Sequence, residues 1–72
     1  MANLSPKDYD SLERAVLDRK RIAVMRQGRE TIFVPRRMFV RDGREVIEAT
    51  HPTTGDPIDI VIDFVDSLEV LP

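Results

Sequence analysis

The residue pattern predicts an α+β protein in which one N-terminal helix precedes a small, strongly bent five-stranded antiparallel barrel. Helix-start residues gather at one point, Ser5 to Asp8, just ahead of an apolar spacing that suits a helix. Everything after residue 21 consists of short β-branched and aromatic runs cut by glycine or proline. One run, about Glu30 to Arg41, is long for a strand of so small a protein and carries Pro35 in its middle.

Ser5 fits the N-cap and Pro6 the first helical position, while Asp8, three residues after Ser5, fits the acidic partner of a capping box. Leu4 and Tyr9 occupy the two positions of a hydrophobic staple. Tyr9, Leu12, Ala15 and Val16 then build one apolar face, and Asp10, Glu13 and Arg14 point elsewhere. Acids in the first turn and Arg19, Lys20 and Arg21 in the last match the helix dipole. The helix is therefore expected at about residues 6–19.

Ile22 to Arg26 alternates as a first strand, and Gln27-Gly28 offers a turn in which glycine accepts a positive φ. Thr31 to Val34 begins the second strand. Pro35 cannot donate to a ladder, so it marks a bend or bulge before Met38-Phe39-Val40 resumes. Asp42-Gly43 is a strong hairpin signal leading into Arg44–Thr50, where Val46 and Ile47 carry most of the β character. After the loop His51–Pro57, Ile58, Ile60 and Ile62 alternate with Asp59, Val61 and Asp63 as a half-buried strand with one acidic face. Leu68, Val70 and Leu71 close the chain as a short last strand. A long bent second strand can pair in both halves of a sheet, and a helix can cover one open end. That layout is Sm-like, with a barrel at about residues 21–71.

At 72 residues the chain reads as one domain over 1–72. A domain of this size buries about three fifths of its unfolded surface, which leaves room for a core but little for a deep substrate pocket. There is no cysteine, hence no disulfide framework, thiolate metal site or redox switch, and an intracellular home is expected. The opening Met-Ala-Asn-Leu-Ser-Pro lacks a signal-peptide pattern, and the apolar runs are too short to span a bilayer. A soluble cytoplasmic protein without a membrane partner is the expectation.

The charge is near neutral in sum, −2, yet sorted along the chain. Residues 14–44 hold ten bases against Asp18, Glu30 and Asp42, whereas residues 45–72 hold seven acids and no base. Such a chain either pairs basic strands with acidic ones or shows faces of opposite sign, which steer and orient charged partners. Faces of opposite sign point to a binding module.

Catalysis finds no footing. His51, the single histidine, sits in a polar loop beside Pro52, and Ser5, Ser11 and Ser67 have no neighbouring base. No enzyme, cofactor or metal site is expected. One histidine and scattered carboxylates lack metal-ligand spacing; Asp59 and Asp63, four apart on the expected strand, read as a solvent-facing row. The three glycines sit in turns between strands and cradle no phosphate.

Nucleic acid has a better claim. The middle of the chain is dominated by arginine, which pairs with phosphate as a bidentate fork: Arg26, Arg29, Arg36, Arg37 and Arg41, with Arg19, Lys20, Arg21 and Arg44 around them. Phe33 and Phe39 flank the Arg36-Arg37 bend, although with aromatics at 6% both rings are expected in the core. Cross-strand Arg–Asp pairing is the alternative use of these side chains. The sharper clue is the acidic helix start. Capping accounts for Asp8 and the staple for Tyr9, whereas Asp10 and Glu13 share an exposed helix face with no structural duty.

The run Asp8-Tyr9-Asp10-Ser11-Leu12-Glu13-Arg14-Ala15 resembles the opening of the Rho-binding antiterminator (Rof) family, small bacterial proteins with an Sm-like barrel behind an N-terminal helix. Val40-Arg41-Asp42-Gly43-Arg44-Glu45 is similar to that family's polar hairpin after the second strand. Ile60-Val61-Ile62-Asp63-Phe64-Val65-Asp66-Ser67 resembles its late leucine-arginine-leucine-aspartate stretch and the hydrophobic-x-serine that follows. The resemblance covers about residues 5–70. It implies a non-enzymatic regulator that binds transcription termination factor Rho near its RNA sites and lowers termination. Carried over, Tyr9, Asp10 and Glu13 would contact Rho, with Asp8 at the edge of that surface. The alternatives are an Sm-like RNA-binding module that uses the arginine-rich middle, and a self-assembling structural or adaptor domain.

Overall fold

The computed structural model describes residues 4–72; Met1, Ala2 and Asn3, part of the opening read above for a signal peptide, lie outside the described residues. Helix α1 spans Pro6–Asp18. Its start is the expected capping box: the Asp8 N–H donates to Ser5 Oγ at 3.2 Å and the Ser5 N–H to Asp8 Oδ2 at 2.9 Å. Leu12 and Ala15 are buried, and Leu4 and Tyr9 pack against the same core. The helix stops one residue earlier than expected. Arg19 turns left-handed at φ 55°, and the Lys20 N–H returns to the Ala15 carbonyl at 2.9 Å. Arg19, Lys20 and Arg21 therefore follow the helix and do not fill its last turn.

Five strands follow: β1 (Ile22–Arg26), β2 (Arg29–Arg41), β3 (Arg44–Thr50), β4 (Pro57–Val61) and β5 (Ser67–Val70). They form one antiparallel sheet in the order β4-β3-β2-β1-β5. The first half of β2 pairs with β1, from Arg29 opposite Arg26 to Phe33 opposite Ile22. Its second half pairs with β3, with a register shift between Pro35 and Arg37. Proline cannot donate to the ladder, so the bulge forms there and lets one strand serve both halves of the bent sheet. Both hairpins turn on two residues with positive φ, Gln27 (49°) with Gly28 (75°) and Asp42 (53°) with Gly43 (75°). Those angles match the turn type whose twist suits paired strands.

The sheet is not closed, which corrects the expectation of a barrel. β4 and β5 are consecutive in sequence but lie on opposite edges. The chain between them makes a 3₁₀ turn at Ile62–Phe64 and crosses the end of the sheet instead of forming a hairpin. That turn also corrects the strand expected through Asp63. β4 ends at Val61, so Asp59 is on a strand and Asp63 is not. Ile62 and Val65, on the crossing, are buried with Phe33, Ile22, Val24, Ile47, Ala49 and Ile60 in the core that α1 covers. No helix among the described residues is long and apolar enough to cross a membrane.

His51 lies in the loop, as expected, but is only partly exposed. The loop folds back on itself, with the His51 N–H donating to the Asp56 carbonyl and the Gly55 N–H to the His51 carbonyl, both at 2.9 Å. The imidazole thereby rests half-buried, its centroid 5.0 Å from the ring of core Phe33.

Candidate functional site

Two surfaces gather the candidate residues, and they differ in sign. The first is built on the opening turns of α1. Asp8, Asp10 and Glu13 are exposed and Tyr9 is half-buried. Asp8 is occupied by the capping box, whereas Asp10 and Glu13 make no ion pair among the described residues. The helix brings Tyr9 and Glu13 to a cleft of about 290 Å³ shared with Met38, Phe39, Val40 and Glu45. Partial burial pushes the Tyr9 phenol above its ordinary pKa, and the nearby carboxylates of Glu45 and Asp63 add to the effect. Glu45 and Asp63 thus enlarge the acidic surface. Their separation from Tyr9 in sequence hid them; only the packing of α1 over the β2–β3 hairpin and the 3₁₀ turn brings them near.

An apolar margin borders this acidic surface. Leu17 is 81% exposed and Val40 68% exposed. A second cleft of about 340 Å³ runs between Glu13, Val16 and Leu17 on the helix and Arg37 and Met38 on β2.

The arginines read as one basic set divide in the fold. Arg37 Nε meets Glu48 Oε2 at 3.0 Å and Arg41 Nη2 meets Asp59 Oδ2 at 3.0 Å. Both guanidinium groups also lie over the Phe39 ring, at 4.8 and 5.0 Å from its centroid. Alternation along β2 puts Arg37, Phe39 and Arg41 on one face, and register puts Glu48 opposite Arg37 and Asp59 opposite Glu48. The paired reading of these two arginines holds, and no continuous arginine stripe runs along β2. Phe33 is core as expected, while Phe39 is half-buried beneath its arginines. Arg36 is exposed at the bulge.

Arg26 and Arg29 behave differently. They face each other across the end of the first hairpin and have no ion pair among the described residues. With Gln27, Thr31 and Phe64 they line a cavity of about 470 Å³. Arg44, from the second hairpin, lies with its guanidinium 4.9 Å from the centroid of the Phe64 ring. Phe64 belongs to no candidate set drawn from the sequence. It lies one residue past the expected strand, and its outward position accompanies the 3₁₀ turn. Comparison of the chain with protein-family models and with curated protein sequences finds no match to either.

Proposed function

We propose that this protein is a non-enzymatic cytoplasmic regulator that binds bacterial transcription termination factor Rho through the start of α1 and lowers termination. The observation that carries the reading is the pair Asp10 and Glu13, exposed and without structural duty, on the helix whose sequence resembles the antiterminator opening. Tyr9 stands at the edge of the same surface, backed by Glu45 and Asp63. A surface that takes up RNA is basic and presents aromatic platforms, so an acidic helix face with a phenol at its margin is suited to occupy it in competition with RNA. Charge complementarity of this kind sets approach and orientation. Leu17 and Val40 flank the acidic residues with apolar area that the core does not use.

The test is capture of purified bacterial Rho on the immobilised protein, alongside an Asp10→Lys, Glu13→Lys double variant. Both positions are exposed, so the variant should fold, which circular dichroism checks. Retention by the unmodified protein and loss by the variant is the expected result. Failure of both to retain Rho at low salt overturns the function; retention by both keeps the partner and discards the helix as its site.

A further inference from the structure

Three arginines without an ion pair among the described residues converge on one exposed aromatic ring. Arg26 and Arg29 are directly opposed strand partners. Like charges so placed oppose hairpin formation, and nothing in the core requires them. Phe64 is 64% exposed and stands outside the core cluster. It lines the same cavity as both arginines, and Arg44 lies against its ring from the second hairpin. Asp66, on the segment that enters β5 beside this hairpin, is engaged by the Gln27 N–H at 2.8 Å.

We propose that this cavity binds single-stranded nucleic acid, with one base stacked on Phe64 and the flanking phosphates held by Arg26, Arg29 and Arg44. Guanidinium forks match phosphate oxygens in number and geometry. An exposed ring offers a π-face that any base can stack on. A cavity of about 470 Å³ falls in the range that encloses small ligands, which suits one nucleotide unit. Gln27 and Thr31 supply amide and hydroxyl groups on the same lining for a base edge. An acidic peptide would satisfy the arginines and leave the ring unused, so the combination favours a nucleotide chain. The site uses none of the residues assigned to Rho and stands or falls separately.

The test is fluorescence anisotropy with a labelled oligouridylate of about twelve nucleotides, within the span of single-strand sites, at low and moderate salt. An Arg26→Gln, Arg29→Gln variant should weaken binding at least about tenfold and flatten its salt dependence by nearly two phosphate contacts. Phe64→Leu should weaken it about tenfold with the salt slope unchanged. Arg37→Gln, which alters an arginine already paired with Glu48, should leave it within about twofold. Absence of binding at low salt overturns the proposal, as does equal loss from Arg37→Gln. Displacement by polyglutamate as readily as by unlabelled RNA, with Phe64→Leu silent, would reduce the site to an anion patch and overturn it. Uridine monophosphate competing as well as the oligomer would refute a strand as the occupant.

Discussion

Asp66 Oδ2 accepts a hydrogen bond of 2.8 Å from the backbone N–H of Gln27, 39 residues earlier in the chain. The N–H of the first residue in a two-residue hairpin lies outside the strand ladder, so a side chain from elsewhere must satisfy it or water will. The adjacent Asp66 N–H donates to the Met25 carbonyl at 2.7 Å. Together the two bonds tie the tip of β1–β2 to the segment that enters β5, and they hold Phe64 beside Arg26 and Arg29. Asp66→Ala should destabilise the protein by about 1 kcal/mol, since the freed N–H is exposed and can take water in place of the carboxylate. Asp66→Asn, which keeps an acceptor, should lose less. Urea unfolding with an unchanged slope measures both; a neutral Asp66→Ala would show that the tie contributes nothing.

The helix start gives a second prediction. Ser5→Ala removes the acceptor for the Asp8 N–H and half of the capping box. The loss should be about 1 kcal/mol, which for a domain of this size lowers the melting temperature by about 4–8 °C. Ser5→Asp should recover most of it, because the aspartate side chain caps in the same way. Thermal melts of the three proteins decide the point.

Tyr9 supplies a third, with a clean signal because it is the only tyrosine in the chain and there is no tryptophan. Burial first, then Glu45 and Asp63, favours its protonated form. Its folded pKa therefore lies above the unfolded one of about 10. The stability linked to the phenol is fully present below the unfolded pKa and is lost as pH rises through the folded value. Ultraviolet titration of tyrosinate should give a higher midpoint in native protein than in urea. Glu45→Gln should bring the native midpoint down while the urea midpoint stays put. Coincident native and urea midpoints would contradict the arrangement of Tyr9 against Glu45.

The opposed charge runs of the chain resolve in two ways at once. Where β2 lies beside β3 and across from β4, register brings Arg37 to Glu48 and Arg41 within reach of Asp59. These pairs are exposed, so each is worth at most about 1 kcal/mol; their larger effect is to neutralise the middle of the sheet. At the hairpin ends the partner strand presents another arginine, Arg29 to Arg26 and Arg44 to Arg41. Asp59 takes up Arg41, so basic charge without an ion pair among the described residues survives mainly at the first turn, and acidic charge at the start of α1.

Features governed by neighbours in sequence were legible beforehand. The capping box at Ser5 and Asp8, the Gln27-Gly28 and Asp42-Gly43 turns, the break at Pro35 and the bounds of β1 and β3 all depend on a few adjacent residues. The acidic face of Asp10 and Glu13 was legible for the same reason, since helical spacing alone puts them side by side. The helix end was misjudged by one residue because Arg19 gives no sign of adopting a left-handed angle that glycine usually takes. The extension of β4 through Asp63 was misjudged because apolar alternation continues past Val61, and only the need to cross from one sheet edge to the other turns the chain there. That crossing put Phe64 outside. Long-range register then decided which arginines met carboxylates and which met each other. No spacing rule carries that information, because the contacts join residues that only the folded sheet brings together.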